Sequence, residues 1–379
     1  MKTDFIPIDY DYFDLHGKNY AKIIGRNSKG KRICIIDTCD VYLWAILKKG
    51  LKDKKVKEIM KKIEKIKLDL RNRKTRVEKV ELHEKNFGGK PVKALKIFAT
   101  NYKDLHDIAS KLDFKEIEKR RGYDLGFIKH YIIEKKIRPM QWYELEGEFA
   151  DLEFQGIENL DVDFSLKLKS SKEIKEKPFS PRTLAYDIET DELEIGKGEI
   201  LMISLVGKDF KKVITWKKPG GESARETKSS LAYVEYVKDE AELLEKFVSE
   251  VRTFSPDFLV GYFSDGFDLP YIKSRADKFG VDLKLGLDDR KPRFSRSGVG
   301  VSVGKIFGIV HIDLLRFIRT AYSQYMKSET LSLNEVAKDV KISIKDKPKR
   351  FKRNPRIGGL YTPLQLFDTF TVDLKSVKS

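Results

Sequence analysis

The spacing of apolar and polar positions changes several times along the chain, and each change marks an element. The first 46 or so residues carry short β-rich runs, KNYAKIIGR and KRICIID, split by the turn signal SKGK. A small β domain is predicted there. From Lys48 to Val80 basic residues dominate, while Val56, Ile59, Met60, Ile63 and Ile66 recur at helical intervals, so one face packs and the other stays charged. VKALKIFAT then reads as a strand, KDLHDIASKL as a helix, and FIKHYIIEKK as an amphipathic element ending before Arg138-Pro139. Such alternation predicts an α+β domain over residues 1–141.

The polar run SSKEIKEKPFSPR, with its two prolines, reads as a linker ending near Arg182. Three apolar β-rich runs follow, TLAYDIE, ILMISLVG and KVITW, and then the helical pattern AELLEKFVSEVRTF. The strand FLVGYF and the helix-like LPYIKSRADKFG complete the unit. This order predicts an α/β layer arrangement around one mixed sheet, assigned to a second domain over residues 142–342. Residues 343–379 remain an unassigned tail, and no internal repeat is found.

Composition narrows the class. Hydrophobic residues make up 40% of the 379 and aromatics 11%, which suits packed domains. Lys plus Arg number 76 against 59 Asp plus Glu, a net charge of +17, so the chain should attract polyanions such as nucleic acid or an anionic membrane surface. No apolar run reaches the roughly 18 residues that span a bilayer, and the start MKTDFIPIDYDYFD lacks the apolar core of a signal peptide. A soluble cytoplasmic chain without a membrane partner is expected. Cys34 and Cys39 have no companion pair at zinc-ligand spacing and are expected to be free thiols in the fold.

Two constellations carry candidate chemistry. In LAYDIET, Asp187 and Glu189 are two apart on a strand, so both carboxylates emerge on one face while Tyr186 and Ile188 take the other. Alone, the pair fits either a solvated strand end or a site for a hard ion such as Mg²⁺ or Mn²⁺. In LVGYFSDGFDLPYIKSRA, an apolar strand runs into the turn Ser264-Asp265-Gly266, and Asp268 stands where a helix begins. Alone, Asp268 fits either a helix cap or a site residue.

Together and in this order, the two motifs resemble the first and second exonuclease motifs of archaeal-type family B DNA polymerases. ILMISLVG, KVITWKK, SPDFLVGYFSDGFD, VHIDLLRFIRTAY…TLSLNEVAKDV and, earlier, IRPM extend the resemblance over roughly residues 23–342. It implies an RNase H-like 3′→5′ exonuclease domain behind an N-terminal domain. Asp187, Glu189 and Asp268 become its catalytic, metal-binding carboxylates, holding two Mg²⁺ or Mn²⁺ ions that hydrolyse the 3′-terminal phosphodiester of DNA in proofreading. The implied partners are a single-stranded 3′ end or primer-template, a second chain carrying palm, fingers and thumb, and a sliding clamp reached through that chain.

The sequence departs from the family pattern at the second motif, where Phe263 replaces the usual asparagine, and at the third, a tyrosine followed four residues later by aspartate. Tyr361 is followed at that spacing by Gln365, and Asp368 is out of step. No palm motif of the D-x-x-S-L-Y-P-S kind occurs, so the chain alone is expected to add no nucleotides. The N-terminal domain of such polymerases senses deaminated template bases. The resemblance places Tyr42, Pro91, Ala94 and Phe127 around such a base, with Val41, Ala94 and His130 differing from the commoner proline, valine and arginine. Three readings stand: an exonuclease portion of a polymerase, a non-catalytic DNA-binding module with a degenerate exonuclease site, or a free-standing nuclease of the wider four-acid exonuclease class.

Overall fold

The computed structural model describes residues 1–70, 73–150, 160–217, 232–296, 302–327 and 330–339. The tail assigned to 343–379, with Tyr361, Gln365 and Asp368, lies outside the described residues. Two compact units, Met1–Pro178 and Phe179–Ser379, divide the chain.

The first unit runs β1 (Lys2–Leu15), β2 (Lys18–Arg26), β3 (Arg32–Asp37), β4 (Val41–Leu47), α1 (Asp53–Glu64), β5 (Lys67–Leu70), β6 (Arg73–Phe87), β7 (Lys90–Ala99), α2 (Leu105–Lys111), β8 (Ile117–Arg121), α3 (Phe127–Lys135), β9 (Tyr143–Phe149) and β10 (Phe164–Glu173). Strands β1-β2-β3-β10-β9 close a barrel, and β5-β6-β7-β4-β8 form a five-stranded sheet. β1 and β2 are joined through His16 and Gly17, both at positive φ, the conformation of a tight hairpin turn whose twist matches its strands. One apolar cluster, with Phe5, Ile23, Ile35, Leu43, Leu95 and Ile97 fully buried, underlies both sheets.

Two features differ from the sequence reading. The helical spacing of Val56, Ile59, Met60, Ile63 and Ile66 is realised in α1 as far as Ile63, but the helix ends at Glu64 and Ile66 packs on the core from beyond it. On β6 a register shift between Val77 and Lys79 lets Val77 and Val80, three apart, both be buried. The first unit also extends beyond residue 141. β9 pairs with β1 from Lys2↔Glu146 to Phe5↔Tyr143, and β10 lies parallel to β3 over Phe164–Lys167. Without those two strands the barrel would present open edges. Cys34 and Cys39 are free, and burial pushes each thiol up to about 12, which suppresses the reactive thiolate.

The second unit runs β11 (Thr183–Thr190), β12 (Ile200–Gly207), β13 (Phe210–Thr215), β14 (Val234–Tyr236), α4 (Glu240–Phe254), β15 (Phe258–Gly261), α5 (Asp268–Phe279), β16 (Arg293–Arg296), β17 (Ser302–Lys305), β18 (Val310–Asp313), α6 (Leu314–Phe317) and α7 (Leu333–Asp339). Its sheet has the order β14-β13-β12-β11-β15-β18. β11, β12 and β13 are antiparallel neighbours, whereas β15 and β18 run parallel to β11, which gives the expected mixed sheet. Asp239 caps α4 by accepting the Glu242 N–H, and Glu242 in turn accepts the Lys238 N–H. The buried Arg275 of α5 pairs with the buried Glu240 of α4, whose carboxylate also accepts the Ile200 N–H at 2.8 Å. No described helix is long and apolar enough to cross a membrane.

Candidate carboxylate site

Because β11, β15 and β18 are parallel, their carboxyl ends lie at one edge of the sheet, where open α/β sheets place ligands. β15 pairs with β11 only over Thr183–Ala185, so Tyr186–Thr190 project past their parallel neighbour. In that projection Tyr186 and Ile188 are buried, and Asp187 and Glu189 are half-exposed on the opposite face, as strand alternation requires.

Asp268 reaches this strand from the other side. It is the first residue of α5, yet Phe267 takes the cap position and receives no side-chain cap bond. The Asp268 carboxylate instead accepts the Ile188 N–H at 3.2 Å, an amide that β15 is too short to pair. The helix-cap reading is therefore replaced by a bond between elements, which sets the Asp268 carboxyl against the strand that carries Asp187. Burial and the neighbouring charges of Asp268 and Glu189 raise the Asp187 carboxyl well above the ordinary range. Burial also raises Asp268, against the lowering effect of the Ile188 N–H, and burial alone raises Glu189. Asp187 and Glu189 are thus partly buried at the strand's end rather than fully solvated.

A second layer fixes the turn that delivers Asp268. Asp313 lies opposite Gly261 in register at the end of β18. Its two oxygens accept the Phe263 and Asp265 N–H groups, each at 3.0 Å, and it caps α6 through the Arg316 N–H. Asp265 is itself buried and accepts from the Gly304 N–H at 3.0 Å and Arg316 Nη1 at 3.3 Å. Burial would raise its carboxyl, but the His311 imidazole, the Gly304 N–H and Arg316 hold it below the ordinary range. His311 Nδ1 is 3.3 Å from Asp265 Oδ1, an ion-pair distance without hydrogen-bond alignment. Tyr186 Oη and Ser264 Oγ lie 3.0 and 3.1 Å from His311 Nε2, linking the back of β11 to the turn.

This clamp holds Phe263 at φ 61°, in the left-handed region, with its ring 46% exposed. Asparagine tolerates that conformation far better than phenylalanine, a physical reason for the residue the family pattern has there. A Cβ on Gly266 would fall inside the Phe263 ring, so the ring lies directly against the turn. Asp313 was not singled out by sequence reasoning. The one local signal was an aspartate at a strand end directly before LLRF, where a helix cap belongs.

The donor set suits a hard dication. Oxygen ligands alone point away from zinc and toward Mg²⁺ or Mn²⁺, and an ion would offset the repulsion that lifts Asp187. Asp313 does not serve as a further free ligand, because its oxygens are engaged by backbone amides. Among the described residues no three His, Cys, Asp or Glu side chains form a ready-made ion cage.

The residues expected around a base in the first unit are spread along it. The buried Tyr42 ring has Lys96 Nζ at 3.8 Å from its centroid and His130 edge-on at 5.3 Å, and its hydroxyl donates to Glu134. Ala94 is buried opposite Ile46, Pro91 is exposed at the β6–β7 hairpin, and Phe127 packs into the core against Tyr12, Tyr102 and Tyr131. Among the described residues no ring contact or hydrogen bond joins Phe127 to Tyr42.

Residues 118–336 match the family model described as DNA polymerase family B, exonuclease domain. The chain is 30% identical to DNA polymerase 1 of Pyrococcus abyssi over 316 residues, which is 82% of this chain and 34% of that protein. It is 31% identical to the DNA polymerase of Pyrococcus glycovorans over the same shares. It is 30% identical to the DNA polymerase of Thermococcus kodakarensis, where the match covers 82% of this chain and 16% of the relative. The chain thus spans at most about a third of these relatives, 34% in the first case. The solved structure of the family B DNA polymerase from the hyperthermophilic archaeon Pyrobaculum calidifontis is similar at a TM-score of 0.68 and 22% identity, over 90% of this chain and 40% of that one.

Proposed function

The chain belongs to the family B DNA polymerases, whose exonuclease domain it carries, and from that premise we propose that it is the 3′→5′ proofreading module of a polymerase whose palm, fingers and thumb lie on a second chain. The observation that carries the reading is the Asp268–Ile188 bond, which brings an acid from the second motif against the acids of the first. Asp187, Glu189 and Asp268 are the residues that would hold Mg²⁺ or Mn²⁺. Bound ions supply a lowered pKa for the attacking water and neutralise charge on the leaving 3′ oxygen.

The chain's own residues bind and orient. Asp268 is fixed by the Ile188 amide and by the turn that Asp313 clamps, so this one carboxylate is positioned before substrate arrives, and positioning and charge neutralisation supply most of the rate. In the reaction, water adds to phosphorus, the bond from phosphorus to the 3′ oxygen breaks, and a nucleotide leaves with a 3′ hydroxyl restored to the strand. The basic surface holds the DNA by phosphate neutralisation. The orienting tyrosine and the last aspartate come from the second chain, which also leads to a sliding clamp, and the assembly works in the cytoplasm. Base sensing by Tyr42, Pro91, Ala94 and Phe127 is a separate proposal, tested by comparing affinity for template strands with and without a deaminated base.

The deciding experiment is trimming of a 3′-labelled single strand with Mn²⁺, by the full chain and by Asp187→Ala. Loss of trimming in the variant with unchanged DNA affinity supports the reading. Binding without trimming under every condition, including a supplied partner chain, favours the non-catalytic DNA-binding module.

A further inference from the structure

The segment after Asp313 carries three large aromatic side chains on its outer side. Leu315 and Ile318 are buried and anchor it to the second unit, whereas Phe317, Tyr322 and Tyr325 are 50%, 44% and 70% exposed among the described residues. Residues Ile318–Tyr322 form a π-helical turn, a geometry that recurs at functional sites. The rings touch in sequence: Phe317 and Tyr322 are 5.5 Å apart at 48°, and Tyr322 and Tyr325 are 6.3 Å apart at 61°. Tilted contacts of this kind leave ring faces open, unlike a closed stack. Single exposed aromatics are ordinary on a protein surface, but a contiguous run of three is not.

The run is bound to the carboxylate site by its own backbone. Asp313, at its head, clamps the turn that delivers Asp268. Arg316 reaches Asp265 in that turn, and Tyr262 Oη donates to Leu331 O at 2.5 Å, tying the far end of the segment to the same loop. Arg316 and Arg319 are exposed beside the rings. Aromatic faces interleaved with arginine on a chain of net charge +17 fit an occupant with flat apolar rings on an anionic backbone.

We propose that Phe317, Tyr322 and Tyr325 form a stacking platform for the unpaired bases of a single DNA strand whose 3′ end enters the carboxylate site. This deepens the exonuclease reading and rests on it for the direction of the strand. The rings supply base contacts of no sequence preference, and the arginines supply phosphate contacts.

The test uses the full chain in EDTA, so that binding is read without turnover, with a fluorescein-labelled short oligothymidylate and its abasic counterpart. Tyr322→Ala/Tyr325→Ala should weaken oligothymidylate binding about tenfold. The slope of log affinity against log salt should stay as in the wild type, since no phosphate contact is removed. On the abasic strand the wild type should fall to the level of the variant, and Tyr322→Phe/Tyr325→Phe should restore wild-type behaviour. Equal losses on both strands, a reduced salt slope, or no loss at all would overturn the platform. Trimming separates the two ideas. A wild type that never trims but shows the base-dependent loss keeps the platform and removes the exonuclease. A chain that trims while the double variant binds both strands like wild type does the reverse.

Discussion

Burial first, and then neighbouring acids, raise both Asp187 and Asp268 above the ordinary carboxylate range, a cost to the fold that makes each replaceable in a measurable way. Asp187→Asn should raise the melting temperature by a few degrees in EDTA, by removing a carboxyl that burial and the neighbouring Asp268 penalise. It should also abolish both the Mn²⁺-induced rise in melting temperature and 3′ trimming, as checked by thermal melts with and without the ion. A variant that still gained stability from Mn²⁺ would place the ion elsewhere. These three acids were legible in the sequence because each motif is local: a strand of alternating faces supplies two, and a strand-turn-helix supplies the third. Asp313, Asp265 and His311 were not, because their roles are set by β18 returning beside β15 after a long excursion, which no local period records. The left-handed backbone of Phe263 was equally hidden, since phenylalanine gives no signal for it.

At the level of elements, two contacts carry more than their neighbours. Arg275 and Glu240 tie α5 to α4 in a buried pair, so Glu240→Ala leaves a guanidinium buried without its partner and should cost about 3–5 kcal/mol in denaturant unfolding. A shift of less than about 1 kcal/mol would mean that the pair is solvated. Asp313 joins β18 to the turn after β15, and Asp313→Ala strands the Phe263 and Asp265 amides at about 1–3 kcal/mol each. Trimming should fall further than stability, because Asp268 follows the released turn. The readout is activity at a temperature where circular dichroism shows the variant fully folded. Most strands and helices could be read from their periods, but β6 gave no clear period, and its register shift against β7 breaks the alternation that would have marked it.

Over the whole molecule, the chain carries the exonuclease domain and spans 34% of the Pyrococcus abyssi protein, and the proposed two-chain polymerase can be tested directly. A clean preparation should incorporate no nucleotide on a primed template with Mg²⁺ and all four triphosphates. Its trimming should rise when a chain bearing the missing tyrosine and aspartate is added, because the groups of such a site act as a unit and their effects do not add. No gain on addition would count against the split-polymerase reading. The barrel has a different bearing, on synthesis rather than chemistry. The amino group of Met1 bonds to Gly147 O, and β3 finds its parallel neighbour only in Phe164–Lys167. A nascent chain released from the ribosome before β10 emerges therefore exposes the unpaired edges of β1 and β3, the first strands made. Arrest after residue 141 should yield a species held by chaperones and open to proteolysis, whereas arrest after residue 178, once clear of the exit tunnel, should yield a protected one. Strands β9 and β10 thus set a minimum length below which the barrel cannot close.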